Sequence, residues 1–307
     1  MIYEYFVDPE VLAEWAKNER DYAEFLREYG LGTPRILSSF PKAKVSKLRG
    51  YLFQAGPQNK TTAQGRRYEE MIISITNSII IRDVTNVNED DLEQSILRAH
   101  QEIPFSVIIS NKDMTAQNCI TTNNMYNQGS VWIHAKQASI SRTTQKITSM
   151  LSNIFRLATQ QVVIVDTFGW TPEAINTIGS ILNCITQNRV NDNLPSVFLF
   201  YKEKRGGNNT GNGSPNAIHV REQIIAKVVE KKLQLTVFEL NEVGGGDVFH
   251  NRCILTEHGG ILTGHGFGLT EQEEHTDEWC LMESEIYKKK WQQFIGNNLF
   301  SVASQST

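Results

Sequence analysis

An α/β fold is predicted by three observations. From Met71 onward, short apolar runs of strand length alternate with longer segments whose apolar residues recur at helical spacing. Helix starts carry capping chemistry, as in Thr171-Pro172-Glu173. The alternation also runs twice, so the chain reads as two halves.

The 307 residues suffice for one large domain or two ordinary ones. A hydrophobic content of 40% with 21% charged residues fits a globular protein with a sizeable core. A formal net charge of −4 excludes a bulk polycation, so contact with nucleic acid or anionic lipid requires a local patch. Cys119, Cys184, Cys253 and Cys280 are scattered without C-x-x-C, and the N-terminus lacks a basic start followed by an apolar run. A cytoplasmic location is expected, with no integral membrane association.

Residues 8 to 30 are expected to be helical, with Asp8 as cap, Pro9 in the first turn and Gly30 at the end. A basic connector, 32 to 49, follows. It reads as a solvated surface segment or as an anion-facing arm. The first pass then places strands at 78–83, 105–110 and 131–136 and helices at 90–100 and 143–158. The polar stretch 111 to 130 has no clear pattern. The second pass places strands at 161–166, 197–201 and 233–240, and helices from Thr171 and over 218–232. A Gly/Asn-rich loop spans 206–215, and Gly244 to Gly246 marks a turn. A hairpin of 250–256 and 260–266, a strand at 279–282 and a helix at 286–294 complete it. Laid side by side, 78–83 matches 161–166, 105–112 matches 195–202, and His134-Ala135-Lys136 matches His250-Asn251-Arg252.

The most informative stretch is His250-Asn251-Arg252, followed by Glu257 and Gly264, an H-x-R-x4-E-x6-G spacing. On a strand, residues two apart face the same way. An imidazole can attack or protonate, and a guanidinium can hold a phosphate oxygen through a bidentate fork. A surface pair hydrogen-bonded to its neighbours is the competing reading, and it weighs more heavily for His134 and Lys136. Asp83 and Asp166 end strands, where carboxylates of α/β folds often face a site, although helix caps and loop bonds are commoner. His250, Cys253, His258, His265, His275 and Cys280 crowd the C-terminal region, but their spacing matches no zinc pattern, so no metal is expected. No cofactor is expected either, and there is no Walker A sequence.

With these residues the chain resembles the phospholipase D superfamily, whose two α/β halves can each carry H-x-K-x4-D-x6-G. The likeness spans roughly residues 70 to 300 by pattern. Here Arg252 stands for Lys and Glu257 for Asp, while Ser141 and Thr148 occupy the first-half Asp and Gly positions. The second half is also similar to the phospholipase-D-like C-terminal domain of MIT-domain proteins, which carries an H-x-R version. The resemblance implies a mixed sheet flanked by helices in two halves, 66–142 and 143–307, behind a helical and basic N-terminal extension, 1–65. It implies a site built from His250, Arg252, Glu257, His134 and Lys136. One histidine would form a phospho-histidine and the other would act as general acid, without a metal. The function expected is engagement of a phosphodiester, foremost nucleic acid, by a degenerate nuclease or phosphate-binding subunit, with a prokaryotic defence complex as one setting for it. The alternative is a non-catalytic interaction module with a protein partner or a second copy of itself.

Overall fold

The computed structural model describes residues 1–84, 87–88, 91–112, 114–204, 213–244, 246, 248–250, 252–296 and 299–307. The chain divides into two compact units: residues 1–136 with 188–192, and residues 137–187 with 193–307. The α/β class is as expected.

The first unit is built on β1 (Tyr3–Val7). Helices α1 (Pro9–Trp15) and α2 (Glu19–Glu28) follow. The single helix expected over 8–30 is interrupted, because Asn18 caps a second start by accepting from the Asp21 amide. Next come β2 (Arg35–Leu37), α3 (Val45–Ala55), α4 (Ala63–Asn77), α5 (Leu92–Glu102), β3 (Val107–Ile109) and β4 (Cys119–Ile120). The sheet order is β2-β1-β3-β4, all parallel. Residues 1–65 thus carry helices, as anticipated, and also supply two of these strands. The basic connector contains β2, and Arg35 within it is buried, with its guanidinium 3.7 Å from the Trp132 ring and 2.8 Å from Glu28.

Two expected strands are absent. Around Ile79–Ile81 only an isolated bridge from Ile80 to Ser38 forms, since the next side chain, Arg82, turns inward to a buried partner, Glu4. Residues 131–136 form turns and coil, because Trp132 is buried under the Arg35 guanidinium and edge-to-face against Tyr5 and not by strand pairing. The proposed match of 78–83 to 161–166 therefore fails at the level of structure. Asp83 takes the loop-bonding role, accepting from the Asn191 side chain and the Asp192 amide.

The second unit comprises β5 (Gln137–Ser141), α6 (Thr144–Leu157), β6 (Gln161–Val165), α7 (Pro172–Ile185), β7 (Ser196–Lys202) and α8 (Ala217–Ile225). It continues with β8 (Leu235–Asn241), β9 (Cys253–Thr256), β10 (Gly259–Thr263), β11 (Thr276–Leu281), α9 (Ser284–Trp291) and β12 (Ser301–Ser306). The helix expected over 218–232 stops at Ile225, and the one over 286–294 passes into a π-turn at Gln292. The sheet order is β12-β8-β7-β6-β9-β10-β11-β5. Strands β6, β7 and β8 run parallel and the remaining pairs antiparallel, giving a mixed sheet. The predicted hairpin is present as β9 and β10. Most of the expected 206–215 loop, and Gly245, lie outside the described residues. Among the described residues no helix is long and apolar enough to cross a membrane.

His134 belongs to the first unit. Its ring stacks on Tyr3 at 3.8 Å, and its Nε2 is 2.6 Å from the Tyr5 hydroxyl. Burial, reinforced by the Arg35 and N-terminal charges, depresses its pKa from 6.5 to about 4. An unfolded chain therefore binds a proton at this residue between these pH values where the folded one does not, so stability must fall as pH drops through that window. Urea midpoints measured from pH 7 to pH 4 are expected to decline, and His134→Gln should flatten the decline. An unchanged slope in the variant would contradict this.

Candidate anion-binding site of the second unit

The registers bring several polar groups to one edge of the mixed sheet. Because β6, β7 and β8 are parallel, their carboxyl ends lie together, and this is where α/β sheets place ligands. Strand β9 runs against β6 with Val165 opposite Cys253, so Asp166 and Arg252 meet at that edge. The β10 end joins them, since the Thr263 amide donates to the Arg252 carbonyl.

Asp166 is 1% exposed. Burial raises its pKa, while amide donation from Phe267 (2.7 Å) and Phe168 (2.9 Å) and the Arg252 charge oppose the rise. Arg252 Nε stands 3.9 Å from the carboxylate, and its Nη1 donates to the Gly264 carbonyl at 2.7 Å. The guanidinium lies 5.6 Å from the Phe168 ring centroid. The Arg252 side chain nevertheless stays 24% exposed. A guanidinium bonded to one carbonyl, with a carboxylate 3.9 Å away and another side open, is partly oriented for an anion.

His250 is exposed and sits in the segment before β9, not on the strand as expected; Asn251 lies outside the described residues. Beside it, Glu242 pairs with Lys202 at 2.6 Å and accepts the Phe249 amide. These contacts hold the Glu242 carboxyl below its ordinary range, with a smaller contribution from His250.

A second imidazole was not anticipated in this role. His265, between Gly264 and Gly266, projects outward with its side chain 60% exposed, and its Nδ1 is 3.3 Å from Asp277. Asp277 is 4% exposed and is fixed by the amides of Gly264 and His265 and by the Trp279 indole. A carboxylate behind Nδ1 sets the tautomer so that Nε2 faces outward. The signal was available in the alternation of β11, where Asp277 falls on the buried register with Trp279.

Glu257 is placed elsewhere. It follows the far end of β9, five residues from Arg252, or ~16 Å of extended chain. There it accepts from the amides of Thr159 and Gln160, tying the α6–β6 connection. His134 and Lys136 lie in the first unit, where Lys136 is exposed in coil. Cys253 is fully buried and its thiol is pushed up to about 12, which leaves it unreactive. His258 is buried against the Leu157 carbonyl. Among the described residues no three His, Cys, Asp or Glu side chains are grouped to hold a metal.

No family model and no curated protein matches the chain. Solved structures to which it is similar include a phospholipase D family member, Nuc from Salmonella typhimurium. That match has 10% identity and a TM-score of 0.34, and covers 55% of this chain and 97% of the other. Phosphatidylserine synthase of Haemophilus influenzae is matched at 10% identity and TM-score 0.33, over 56% of this chain and 47% of the other. An archaeal chromatin protein, TrmBL2, whose structure shows a mode of DNA binding, is matched at 12% identity and TM-score 0.29, over 53% and 50%. The first of these belongs to the superfamily that the H-x-R spacing resembles. At such TM-scores the likeness says nothing about the site, which stands on its own geometry.

Proposed function

We propose that the carboxyl edge of the mixed sheet binds the phosphate of a phosphodiester, with nucleic acid as the ligand class and Arg252 as the anchoring cation. The observation that carries this is the Arg252 guanidinium, held by Asp166 and the Gly264 carbonyl yet partly open to solvent. His250, two residues before Arg252, and His265, next to the Gly264 whose carbonyl Arg252 bonds, are both exposed and supply further donors for phosphate oxygens in this reading. With Glu257 committed to backbone amides at the other end of β9, binding is the property these residues support most directly.

The test is fluorescence anisotropy with labelled single- and double-stranded oligonucleotides at several salt concentrations. Arg252→Ala is expected to weaken binding about tenfold, or ~1.4 kcal/mol, and to reduce the salt slope by about one ion. Arg252→Lys should recover part of the affinity, since it keeps the charge and loses the fork. Equal affinity of wild type and Arg252→Ala would refute the assignment. Cleavage of the same oligonucleotides in the presence of chelator would extend the reading to a nuclease. The histidine whose alanine variant abolishes that cleavage would then be the reacting one.

A further inference from the structure

The basic stretch of the sequence lies in the first unit, apart from the anion site of the second. Residues 29–68 carry eight of the chain's 30 lysines and arginines and none of its 34 carboxylates. Two of the eight are neutralised: Arg35 is buried against Glu28, and Arg67 stands 3.8 Å from Glu19. Lys44, Lys47, Arg49, Lys60 and Arg66 are exposed, and among the described residues no carboxylate pairs with them. Four of these five belong to helix α3 or contact it. Lys44 is its N-terminal flanking residue, Lys47 and Arg49 lie within it, and Lys60 reaches its Phe53.

Leu48 and Leu52 are the buried residues of α3. At about 100° per residue, Ser46, Gly50 and Gln54 stand opposite them, with Lys47 on one flank of that crest and Arg49 on the other. The crest is open, since a Cβ at Gly50 would meet nothing within 4 Å. Aromatic rings, not carboxylates, brace the cations on the flanks. The Phe53 ring centroid lies 5.6 Å from the Arg49 guanidinium and 4.4 Å from Lys60 Nζ, and the Tyr51 centroid lies 5.3 Å from Lys42 Nζ. A ring face attracts a cation and leaves its charge intact. Both flanks therefore keep positive charge that an incoming polyanion can use.

We infer that the exposed face of α3, together with Lys60, is a docking surface for the phosphodiester backbone of nucleic acid, held through its charges. Charge density selects this partner. A duplex offers roughly one negative charge per 1.7 Å of its axis, against about one per 3.3 Å for a fully acidic extended peptide. A membrane surface would also draw on apolar side chains, and none of the exposed large apolar residues falls within 29–68. The surface needs nothing from Arg252, because every residue named here lies in the first unit.

Anisotropy titrations of the full chain with labelled oligonucleotides across a salt series test this. Lys47→Gln, Arg49→Gln and Lys60→Gln are combined in one variant, which removes three exposed charges and keeps good helix formers on α3. It is expected to bind about tenfold more weakly at low salt, with a salt slope shallower by about two ions. The net-charge control combines Lys146→Gln, Lys288→Gln and Lys289→Gln, three exposed lysines of the second unit, and should bind like wild type. The α3 variant should weaken binding in an Arg252→Ala background as well, so this surface can hold even where the second-unit site fails. Wild-type affinity and salt slope in the α3 variant, while Arg252→Ala is weakened, would overturn the surface and leave that site standing. An equal loss in the net-charge control would reduce the effect to overall charge and overturn it too. So would displacement of the oligonucleotide by polyglutamate at equal charge, or tighter binding to phosphatidylserine vesicles.

Discussion

Replacing Glu4 by alanine is expected to destabilise the first unit by about 3–5 kcal/mol, the range found when one partner of a buried ion pair is removed. Glu4 is 0% exposed and Arg82 is 2% exposed, and Arg82 Nη1 donates to the Glu4 carboxylate at 2.7 Å. The same guanidinium donates to the carbonyls of Ala99 and Ile103 at the end of α5 and lies 4.1 Å from the Phe105 ring centroid. It therefore ties β1 to the α5 terminus, where a cation also complements the helix dipole. Without the carboxylate, a buried guanidinium is left with only carbonyl partners. Chemical denaturation of Glu4→Ala measures the loss. The double variant Glu4→Leu with Arg82→Met separates pairing from packing. It should be more stable than Glu4→Ala, because no unpaired charge remains, and less stable than wild type, because the carbonyls at the end of α5 lose their donor. A loss under about 1 kcal/mol in Glu4→Ala would mean that water reaches the pair and that it is not part of the core.

That pair also shows where the sequence was legible and where it was not. Segments obeying a single period were readable. Helix α7 carries its Thr171 cap, its Pro172 and an apolar stripe, and β6 and β7 are short apolar runs buried on both faces, as parallel strands are. The β9–β10 hairpin followed from the same signal. Strand β1 was missed because Glu4 interrupts its apolar residues, and nothing local reveals that an arginine 78 residues later neutralises it. Conversely, Val131–Lys136 alternates like a strand, but Trp132 finds its burial on a guanidinium face, which no period encodes. The site divides in the same way. Arg252 was marked by its spacing, and Asp166 by its place after a strand. For the His265–Asp277 pair, the alternation of β11 marked Asp277 as inward-facing, but its partner 12 residues away became visible only once β10 and β11 were in register.

The tightest geometric constraint on the site is Gly266. Its φ of +72° is left-handed, and a Cβ built there would stand 2.5 Å from Asp166 Oδ2 and 2.8 Å from Arg252 Cδ. Neither neighbour can give way cheaply. Asp166 Oδ2 is held by the Phe267 amide and Arg252 by the Gly264 carbonyl. Gly266→Ala must therefore bear the conformational cost of about 1–2 kcal/mol together with an overpacking cost of about 1–3 kcal/mol. The methyl group also enters between the carboxylate and the arginine it orients. The variant should lose stability and, in conditions where it stays folded, bind oligonucleotide about as weakly as Arg252→Ala. Gly268→Ala is the matched control, since a Cβ there meets nothing within 4 Å, and it should match wild type in both measurements. If Gly266→Ala unfolds and binds like wild type, Asp166 and Arg252 are not locked together. The preorganised guanidinium on which phosphate binding depends would then be disproved by a single methyl group.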